Sequence, residues 1–511
     1  MKVKGLSAEE VYYSKTQPDI LEESVERYKD KIAISYFSKD ITYNDLLRMV
    51  RSISSQLSEK IGKGDVVILS TQNIPQFIIA EYAIWNLGGI VLPVNPSYSE
   101  RELEFLIKDS GAKLMIASCE AVKPKSIEII TTNPDTFAEI SSEYKEKWKI
   151  NNDCEEMLNL KGNVRGVKRN VLPSDLALLV YTSGTTGLPK GVPITHSNIY
   201  ASTWIYNKWF KYNDNDKVLG IAPFFHITGQ IFHITTSIFS GSSISTFFRF
   251  DPDLALQNVE NEKTTITMAV ATTYRAMLNA LNKHDLSSMR LWSSGGMAMP
   301  KALEEEWKAK VGDYIYMAWG LTETTSPATL WPYPYEGKLP VDPETDIVSS
   351  GIPVYETEIA IAEDGEVLVR GPQVVKGYWK MREFKDGWLP TGDIGKIVDG
   401  WVYIIDRKKD IINTSGFKVM PREVEEVIYK HYAVEEVAVV GLPDPYRGEA
   451  VVAFVKLKGN YRPSEELAKD IINYCRRNLA PYKVPREVRF VDEIPKTPSG
   501  KIMRRVFRDE A

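Results

Sequence analysis

Short apolar runs alternate with helical stretches through the first half of the chain. Residues 65–70 and 113–117 have the length and the aliphatic content of buried strands, and residues 74–87 between them are typical of a helix. A second unit of the same kind begins at residues 176–181 and continues through residues 265–270. This alternation predicts two α/β subdomains built around largely parallel sheets.

The length of the chain requires more than one core. Its 511 residues exceed the roughly 250–300 at which a single hydrophobic core stops growing. Residues 122–170 are more polar and predict a surface excursion between the subdomains. Residues 366–402 are rich in Gly, Val, Trp and Tyr, which predicts a small β-rich subdomain of short strands.

A charged pentapeptide separates off the C-terminal part of the chain. Asp-Arg-Lys-Lys-Asp at 406–410 lies between an expected strand, 401–405, and an apolar pair, which makes it the hinge candidate. Beyond it, Pro421 opens a helix expected to reach Tyr432, and a strand follows at 437–440. Apolar residues then recur at helical spacing from Leu467. These features predict a small α+β domain.

Composition disfavours several classes of partner. The formal charge is only −5 and no Lys/Arg block occurs, so a nucleic-acid partner is not expected. No run of about 20 apolar residues is present, and the N-terminus lacks an apolar signal core, so a membrane role is not expected. Cys119, Cys154 and Cys475 are far apart and match no metal-binding spacing. We therefore expect three unpaired thiols and a cytoplasmic protein.

A glycine- and hydroxyl-rich loop follows the strand at 176–181. It reads Tyr-Thr-Ser-Gly-Thr-Thr-Gly-Leu-Pro-Lys-Gly at 181–191. Its glycines leave backbone N–H groups unhindered, its hydroxyls donate and its lysine adds a cation, which together suit a polyphosphate. The residues expected to hold phosphate are Thr182, Ser183, Gly184, Thr185, Thr186, Gly187 and Lys190.

The spacing of this loop distinguishes it from a Walker A motif. Walker A requires G-x-x-x-x-G-K-[ST] at the start of a helix. Here the glycines are closer together, Lys190 follows Pro189, and residues 191–195 are an expected strand. A P-loop NTPase is therefore disfavoured. A plain strand–strand connection is the alternative, because Gly, Ser and Thr are common in turns.

The loop resembles the signature loop of the acyl-adenylate-forming superfamily, which includes AMP-forming acyl-CoA synthetases, firefly luciferases and peptide-synthetase adenylation domains. Further stretches resemble that family in its order along nearly the whole chain: Ala-Pro-Phe-Phe-His at 222–226, Tyr-Met-Ala-Trp-Gly-Leu-Thr-Glu-Thr at 316–324, Thr-Gly-Asp at 391–393, residues 406–420, and Pro-Lys-Thr-Pro-Ser-Gly-Lys at 495–501. The resemblance implies an N-terminal adenylation domain over 1–405, a hinge at 406–410 and a mobile C-terminal lid domain over 411–511.

The resemblance also implies roles at the nucleotide. Glu323 is expected to hold Mg²⁺, and Thr322 to contact the α-phosphate. Asp393 resembles the acid that binds both ribose hydroxyls, for which two acceptor oxygens are suited. Trp319 takes the place of the aromatic residue that stacks on adenine. The further positions expected at the ATP site are Gly295, Gly320 and Arg407.

Lys501 is the residue expected to be catalytic in the first half-reaction. In the family, the matching lysine swings in to bridge the carboxylate and the α-phosphate. A group placed where charge develops in the transition state is worth about 10²–10³ in rate. Glu323 and Thr322 complete the catalytic set that the resemblance implies.

The acyl pocket and the CoA route are also implied by the resemblance. His226 and Gly320 are expected at the pocket wall, and Gly320 takes the position where acetyl-CoA synthetases carry a pocket-closing tryptophan. The pocket is therefore expected to admit acids of C4 or longer, such as butyrate, hydroxybutyrate or medium-chain acids, and Gly320→Trp to shift preference to acetate and propionate. Lys409 occupies the hinge, and Gly416 and Phe417 border the expected CoA tunnel.

The expected reaction joins a small carboxylic acid to CoA with ATP and Mg²⁺, releasing AMP and pyrophosphate. CoA is the expected acceptor because residues 415–423 resemble fatty acyl-CoA ligases and no carrier domain follows. A freestanding adenylation enzyme that loads a carrier protein is the main alternative, and a luciferase-like oxygenase is a more distant one. A regulatory nucleotide-binding protein is disfavoured by the intact Glu323, Asp393, Arg407 and Lys501. The sequence leaves a homo-oligomer open.

Overall fold

The computed structural model describes residues 1–8, 15–159, 170–182, 189–497 and 500–509. Up to residue 182, its elements are β1 (Lys2–Lys4), α1 (Gln17–Tyr28), β2 (Ile32–Tyr36), β3 (Lys39–Thr42), α2 (Tyr43–Leu57), β4 (Val66–Ser70), α3 (Pro75–Asn86), β5 (Ile90–Pro93), α4 (Glu100–Ser110), β6 (Leu114–Ser118), β7 (Glu128–Thr132), α5 (Ser142–Trp148) and β8 (Leu176–Thr182).

The elements that follow residue 189 begin with β9 (Lys190–Thr195), α6 (His196–Phe210), β10 (Lys217–Leu219), a π-helical turn (Gly229–Thr235), α7 (Thr236–Ser240), β11 (Ser243–Thr246), α8 (Pro252–Glu262), β12 (Ile266–Ala269), α9 (Ala271–Ala280), β13 (Leu291–Ser294), α10 (Lys301–Val311), β14 (Ile315–Trp319), β15 (Thr329–Leu330), β16 (Ile352–Pro353), β17 (Glu358–Ile361), β18 (Glu366–Arg370), β19 (Leu389–Val398) and β20 (Trp401–Arg407). The last are β21 (Ile412–Thr414), β22 (Phe417–Val419), α11 (Pro421–Tyr429), β23 (Val434–Asp444), β24 (Gly448–Leu457), α12 (Glu465–Asn478), β25 (Glu487–Phe490) and α13 (Arg504–Asp509).

The first α/β subdomain is a sheet with strand order β7-β6-β4-β5-β8-β9. Its strands run parallel except at the β8–β9 pair. Helix α3 connects β4 to β5 and begins at Pro75, whose fixed φ suits the first turn of a helix. Nearly all of its side chains are buried, because α1 and α2 cover the face that does not pack on the sheet.

The second α/β subdomain is a longer sheet with strand order β16-β15-β14-β13-β12-β10-β11-β2-β3. From β14 to β2 neighbouring strands run parallel. One hydrophobic cluster joins both sheets and includes the buried Phe77, Ile199 and Trp292. The predicted pair of α/β subdomains is thus confirmed. The carboxyl ends of β12, β13 and β14 meet at one edge, the place where open parallel sheets bind ligands.

Two smaller sheets complete the molecule. Strands β1-β17-β18-β19-β20 form an antiparallel sheet, which confirms the β-rich subdomain. In the C-terminal part, strands β22-β21-β24-β23, with β25 beside β24, pack against α11 and α12 over a separate core that contains Val439, Ile471 and Cys475. The predicted α+β character is confirmed. The domain limits 1–405 and 411–511 stay a prediction.

The structure corrects the expected surface excursion at 122–170. Strand β7 lies within this segment and extends the first sheet, while Trp148 and Met157 are buried. The carboxylate of Glu156 accepts hydrogen bonds from Thr132 and from the backbone N–H of Asn133, which fixes the segment against the sheet. The segment therefore contributes a strand and buried side chains to the fold, while charged side chains such as Glu143 and Glu146 are exposed.

The expectation of three free thiols is wrong. Cys119, just beyond β6, and Cys154 form a disulfide, because β7 brings the segment after α5 beside the end of β6. Cys475 is a buried free thiol. The thiol argument for a reducing compartment therefore loses its support. Within the described ranges, no helix has the length and apolar content needed to span a bilayer.

Two element boundaries differ from expectation. Helix α11 ends at Tyr429 and not at Tyr432, and β20 continues through Arg407 instead of ending at 405. The strand continues because Arg407 pairs in register with Asp393 on β19. The short 3₁₀ turn Lys408–Asp410 and Ile411 separate β20 from β21 of the C-terminal sheet.

Candidate active site

A cavity of about 490 Å³ opens at the carboxyl ends of β12, β13 and β14, where the β-rich sheet and the C-terminal part close over them. Nearly all described residues that the sequence assigned to ATP, the acid and the hinge line this cavity: Thr182, Lys190, His226, Gly295, Trp319, Gly320, Thr322, Glu323, Asp393, Arg407, Lys409 and Lys501. Gly416 and Phe417 do not line it. Their places are described below.

Asp393 lies at the centre of a three-residue cluster. Its Oδ2 accepts a hydrogen bond from Trp319 Nε1 at 3.0 Å, and its Oδ1 lies 2.8 Å from Arg407 Nε. The cluster forms because Trp319 ends β14 while Asp393 and Arg407 are register partners on β19 and β20. Burial raises the pKa of Asp393, and the Arg407 charge and the Trp319 hydrogen bond oppose that rise. The arrangement presents a buried acceptor beside an indole ring.

Glu323 lies in a short 3₁₀ turn, Thr322–Thr324, directly after β14. Its carbonyl accepts from the backbone N–H of Val375 at 2.9 Å, and its Oε1 accepts from Tyr378 Oη at 2.9 Å. Lys190 Nζ is 5.0 Å from the centre of the Tyr378 ring, a cation–π distance. Tyr378 thus connects the glutamate to the base of the glycine-rich loop.

Sequence reasoning missed Tyr378. It lies in the Gly-Tyr-Trp-Lys segment at 377–380, whose aromatic content was interpreted only as strand content. The next residue, Trp379, donates its backbone N–H to the carbonyl of Gly191 at 2.8 Å, on the far side of the loop. An aromatic pair flanked by glycine and lysine was the only available signal.

The glycine-rich loop itself lies largely outside the described residues. This applies to Ser183, Gly184, Thr185, Thr186 and Gly187. Its two ends are described: β8 and β9 pair antiparallel, with Thr182 opposite Lys190. The loop therefore joins two strands, as the sequence predicted, and does not open a helix.

Lys501 reaches the cavity from the C-terminal part of the chain. The backbone N–H of Thr497 donates to the Lys501 carbonyl at 2.7 Å, and the backbone N–H of Lys501 donates to Thr497 Oγ1 at 3.1 Å, next to an antiparallel bridge between Lys496 and Ile502 that makes this segment a hairpin. The Gly500 carbonyl accepts from Thr272 Oγ1 of α9 at 3.1 Å. A Cβ on Gly500 would lie 2.7 Å from Val270 Cγ2, and its φ is +84°, so glycine is needed for this close approach. The lysine side chain packs against Gly296.

The charge of Lys501 is tuned by its surroundings. Burial and the neighbouring Arg407 lower its pKa to about 8, whereas Asp393 and Glu323 oppose the shift. The structure thereby brings one lysine from the C-terminal part together with two carboxylates and an arginine from the N-terminal part. Two of these groups, Lys501 and Asp393, have shifted pKa values, and such a pair in a cleft is typical of a catalytic site.

His226 borders the same cavity beside a second one of about 450 Å³. Burial, and then the Lys501 charge, lower its pKa to about 3, so its imidazole is neutral at neutral pH. Its Nδ1 accepts from the backbone N–H of Thr228 at 3.3 Å, which leaves the proton on Nε2. His226 is therefore a neutral hydrogen-bond donor at the junction of the two cavities.

Gly416 and Phe417 lie on the hairpin between β21 and β22. Ser415 and Gly416 have φ of 50° and 83°, the backbone of a tight two-residue turn. Phe417 is 53% exposed and stacks on Tyr482 with ring centres 4.6 Å apart. In this arrangement neither residue lines the cavity, and the CoA-tunnel assignment stays a prediction.

Gly320 lines the cavity, but a side chain at this position would point into the protein's own backbone. A Cβ added there would lie 1.4 Å from the Ser326 carbonyl oxygen. The expectation that Gly320→Trp would simply fill the pocket is therefore corrected: any side chain at 320 must first displace the 320–326 backbone.

We expect Gly320→Ala to lower both the melting temperature and the catalytic activity, because the added methyl collides with backbone that cannot move without disturbing Glu323. The matched control is Gly62→Ala, where a Cβ would meet no heavy atom within 4 Å. Thermal melting measured for both variants checks this. Equal melting temperatures would contradict the close contact.

The comparisons with known proteins agree with this geometry. The family model described as AMP-binding enzyme matches residues 21–379, and its companion, AMP-binding enzyme C-terminal domain, matches residues 423–501. The chain is 36% identical to the long-chain-fatty-acid–CoA ligase of Bacillus subtilis, over 97% of this chain and 95% of that one. The chain therefore belongs to the family of AMP-binding enzymes.

Solved structures narrow the class. The chain superposes on o-succinylbenzoate CoA synthetase from Bacillus subtilis, in complex with its acyl-adenylate intermediate, with a TM-score of 0.82 and 26% identity, covering 97% and 98% of the two chains. An AMP-forming acid–CoA ligase is the class of enzyme that the fold and these relatives define.

The placement of the C-terminal part against the N-terminal part can be compared with two solved structures of one enzyme. For MatB from Rhodopseudomonas palustris, the ATP-bound structure gives a TM-score of 0.81 over 97% of this chain and 99% of that one. The apo structure gives 0.71 over 97% and 99%, and both are 26% identical. The present arrangement, with Lys501 inside the cavity, is thus more similar to the ATP-bound form.

Proposed function

We propose that this enzyme activates a carboxylic acid with ATP and transfers the acyl group to CoA. In the first half-reaction a carboxylate oxygen attacks the α-phosphorus, the bond to the bridging oxygen breaks, and pyrophosphate leaves. In the second, the CoA sulfur attacks the acyl carbon, the bond to AMP breaks, and the thiol proton is lost. The observation that supports this best is the entry of Lys501 into a cavity that holds Glu323, Asp393 and Arg407.

The nucleotide would be held by groups from three sheets. Asp393 would accept from the ribose hydroxyls with the lone pairs that Trp319 and Arg407 leave available. Trp319 would stack on adenine, and Thr322 would contact the α-phosphate. Thr182 and Lys190 flank the loop expected to hold the phosphates that leave as pyrophosphate.

The residues present suit a magnesium ion that is shared with the nucleotide. Mg²⁺ is commonly bound by one or two protein carboxylates together with substrate phosphates. Glu323 offers one carboxylate, oriented by Tyr378. Among the described residues, no group of three or more His, Cys, Asp or Glu side chains has an arrangement that could hold a metal ion. When bound, Mg²⁺ would offset the negative charge that accumulates on the phosphates.

Lys501 would supply the mobile positive charge of the first half-reaction. Its position against Gly296 places the ammonium group within the cavity near Asp393 and Glu323. The phosphates of bound ATP would raise the pKa of this lysine above the value near 8 that burial and Arg407 give it, and so keep it protonated. It would then neutralise charge where carboxylate and phosphate approach each other.

The acid is proposed to have four carbons or more, and CoA is the proposed acceptor. The Bacillus subtilis relative is named for long-chain fatty acids. Loading of a carrier protein is the alternative acceptor chemistry, and the hairpin that carries Gly416 and Phe417 would have to approach the cavity in either case. A hinge at 406–410 with Lys409 would permit that movement of the hairpin.

A cytoplasmic location and a homo-oligomer stay predictions.

The experiment that tests this function is a panel of carboxylates from acetate to long-chain acids with ATP and Mg²⁺, in which AMP and pyrophosphate are measured with and without CoA. Acid-dependent pyrophosphate with CoA-dependent AMP turnover is the expected result. Pyrophosphate formation that CoA does not accelerate would favour carrier loading. No acid-dependent product with any acid would exclude the ligase.

A contact between the two parts of the chain leads to a further prediction. Glu426 of α11 is 3% exposed and accepts from the backbone N–H of Lys301, the first residue of α10, at 3.2 Å. Helix α10 begins after Pro300, which provides no side-chain cap, so Glu426 takes the role of a cap from the other part of the chain. Lys430 and Lys301 both contact Asp346 beside it.

We expect Glu426→Ala to slow adenylation by roughly ten-fold, because this arrangement loses the hydrogen bond that caps α10. Thioester formation from supplied acyl-AMP should be affected less, because in that half-reaction the C-terminal part would be rotated about the hinge and would not make this contact. Pyrophosphate exchange and acyl-CoA formation measure the two half-reactions separately. Glu465→Ala, at an exposed glutamate of the same domain, is the control. Equal loss in both half-reactions would contradict a role of the Glu426–Lys301 contact in adenylation alone.

A further inference from the structure

Two hydroxyl groups in the cavity are hydrogen-bonded to each other. Tyr206 Oη and Ser326 Oγ are 2.9 Å apart, and both residues line the cavity. The apolar side chains that line the same cavity include Met268, which contacts Tyr206 Oη, as well as Met317 and Val348. Burial raises the pKa of Tyr206, so its hydroxyl keeps its proton at neutral pH. This polar pair has no role in the nucleotide site described above.

The pair is connected to the catalytic lysine by a short series of contacts. Lys501 Nζ is 3.7 Å from the position that a Cβ would take on Gly296. The corresponding position on the adjacent Gly295 is 3.7 Å from Met268 Sδ, and Met268 Sδ is 3.8 Å from Tyr206 Oη. Within one cavity, Gly295, Gly296 and Met268 therefore lie between Lys501 and the hydroxyl pair.

The wall behind the pair is closed and fixed. Tyr206 packs against Phe210 and Phe232, both fully buried, with ring centres 6.1 and 5.1 Å away. Ser326 has φ of 94°, and its carbonyl accepts from Thr324 Oγ1 at 3.0 Å. Neither Tyr206 nor Ser326 can move without disturbing buried contacts. An acyl chain that reaches the pair therefore cannot extend beyond it.

The hydroxyl pair has unused hydrogen-bonding capacity. Two hydroxyl groups carry two protons, and one proton serves the bond between them. Within the described residues, the other partner of Tyr206 Oη is Met268 Sδ, and a thioether is a weak acceptor. A substrate hydroxyl would be a better acceptor and would also donate to the pair.

Resting on the proposed ligase function, we propose that Tyr206 and Ser326 determine acid specificity, and that the preferred acid is a short chain with a hydroxyl group at the end remote from its carboxylate. The apolar residues Met268, Met317 and Val348 then contact the methylene groups between the two polar ends. A site built to hydrogen-bond a substrate hydroxyl discriminates strongly against the analogue that lacks it.

Matched acids test this proposal with the full-length enzyme, ATP, Mg²⁺ and CoA. The pairs are butyrate and 4-hydroxybutyrate, pentanoate and 5-hydroxypentanoate, and hexanoate and 6-hydroxyhexanoate. We expect the hydroxy acid to exceed its parent in kcat/KM by roughly ten-fold or more at one length. Tyr206→Phe, which removes only the hydroxyl, should bring that ratio close to one, and Ser326→Ala should lower it independently.

The control is Tyr212→Phe. Tyr212 is a buried tyrosine that packs on the same Phe232 but does not line the cavity, and its hydroxyl donates to the Phe232 carbonyl. This variant should keep the wild-type ratio. A wild-type ratio of one or less at every length, or an unchanged ratio in both Tyr206→Phe and Ser326→Ala, would overturn the proposal. Absence of AMP formation with every acid would instead overturn the ligase function itself.

Discussion

Replacement of Lys501 by alanine should reduce acid-dependent pyrophosphate exchange by about 10²–10³-fold, because the site loses the cation at the point where charge develops in the transition state. The hairpin that carries the lysine is held by backbone contacts and by Thr272, so the variant should fold normally. Formation of the thioester from supplied acyl-AMP should persist, since the lysine is proposed to act only in the first half-reaction.

The two half-reactions must be measured on the same preparation. Lys458→Ala, at an exposed lysine of the same domain, provides the control and should match the wild type in both. If Lys501→Ala lost both half-reactions to the same extent, the lysine would be required for the site as a whole, and its assignment to adenylation would be wrong.

The second large effect is expected at Asp393. Asp393→Ala should raise KM for ATP by roughly 100-fold, which corresponds to the loss of two ribose hydrogen bonds to a carboxylate at about 1.5 kcal/mol each. Folding should be little affected, because the side chain of its ion-pair partner, Arg407, is 43% exposed and remains solvated. Nucleotide binding measured calorimetrically, without turnover, checks this expectation.

Asp40→Ala is the control for this variant, because Asp40 lies exposed on the edge strand β3. A KM for ATP that stays within a few fold of the wild type in Asp393→Ala, with a fall in kcat instead, would show that Asp393 does not contact the ribose. Its burial beside Trp319 and Arg407 would then serve only to connect β14 with the β-rich sheet.

Much of the fold was accessible from local sequence. Strands such as β4 and β6 and the helix α3 were predicted within a residue or two, since continuous apolar runs and Pro75 at a helix start are local signals. The strands on both sides of the glycine-rich loop were predicted for the same reason. Assignment of Trp319, Asp393 and Lys501 to one site required the resemblance, because they are distant in sequence.

What the sequence did not reveal depends on contacts between distant segments. Tyr378 contacts Glu323 only because the connection between β18 and β19 folds back over β14. The Cys119–Cys154 disulfide depends on β7 joining the sheet, which a polar segment did not suggest. A Cβ on Gly320 would meet Ser326 because the backbone turns with positive φ at residues 325 and 326. No residue pattern in the sequence predicts that turn.

The central claim is that acid and ATP combine through an acyl-adenylate, and the fate of the carboxylate oxygen tests it most directly. With an acid labelled in both carboxylate oxygens with ¹⁸O, each turnover in the presence of CoA should place one ¹⁸O atom in the phosphate of AMP, detected by mass spectrometry. Unlabelled AMP, or ¹⁸O in orthophosphate with ADP as the nucleotide product, would contradict the mechanism.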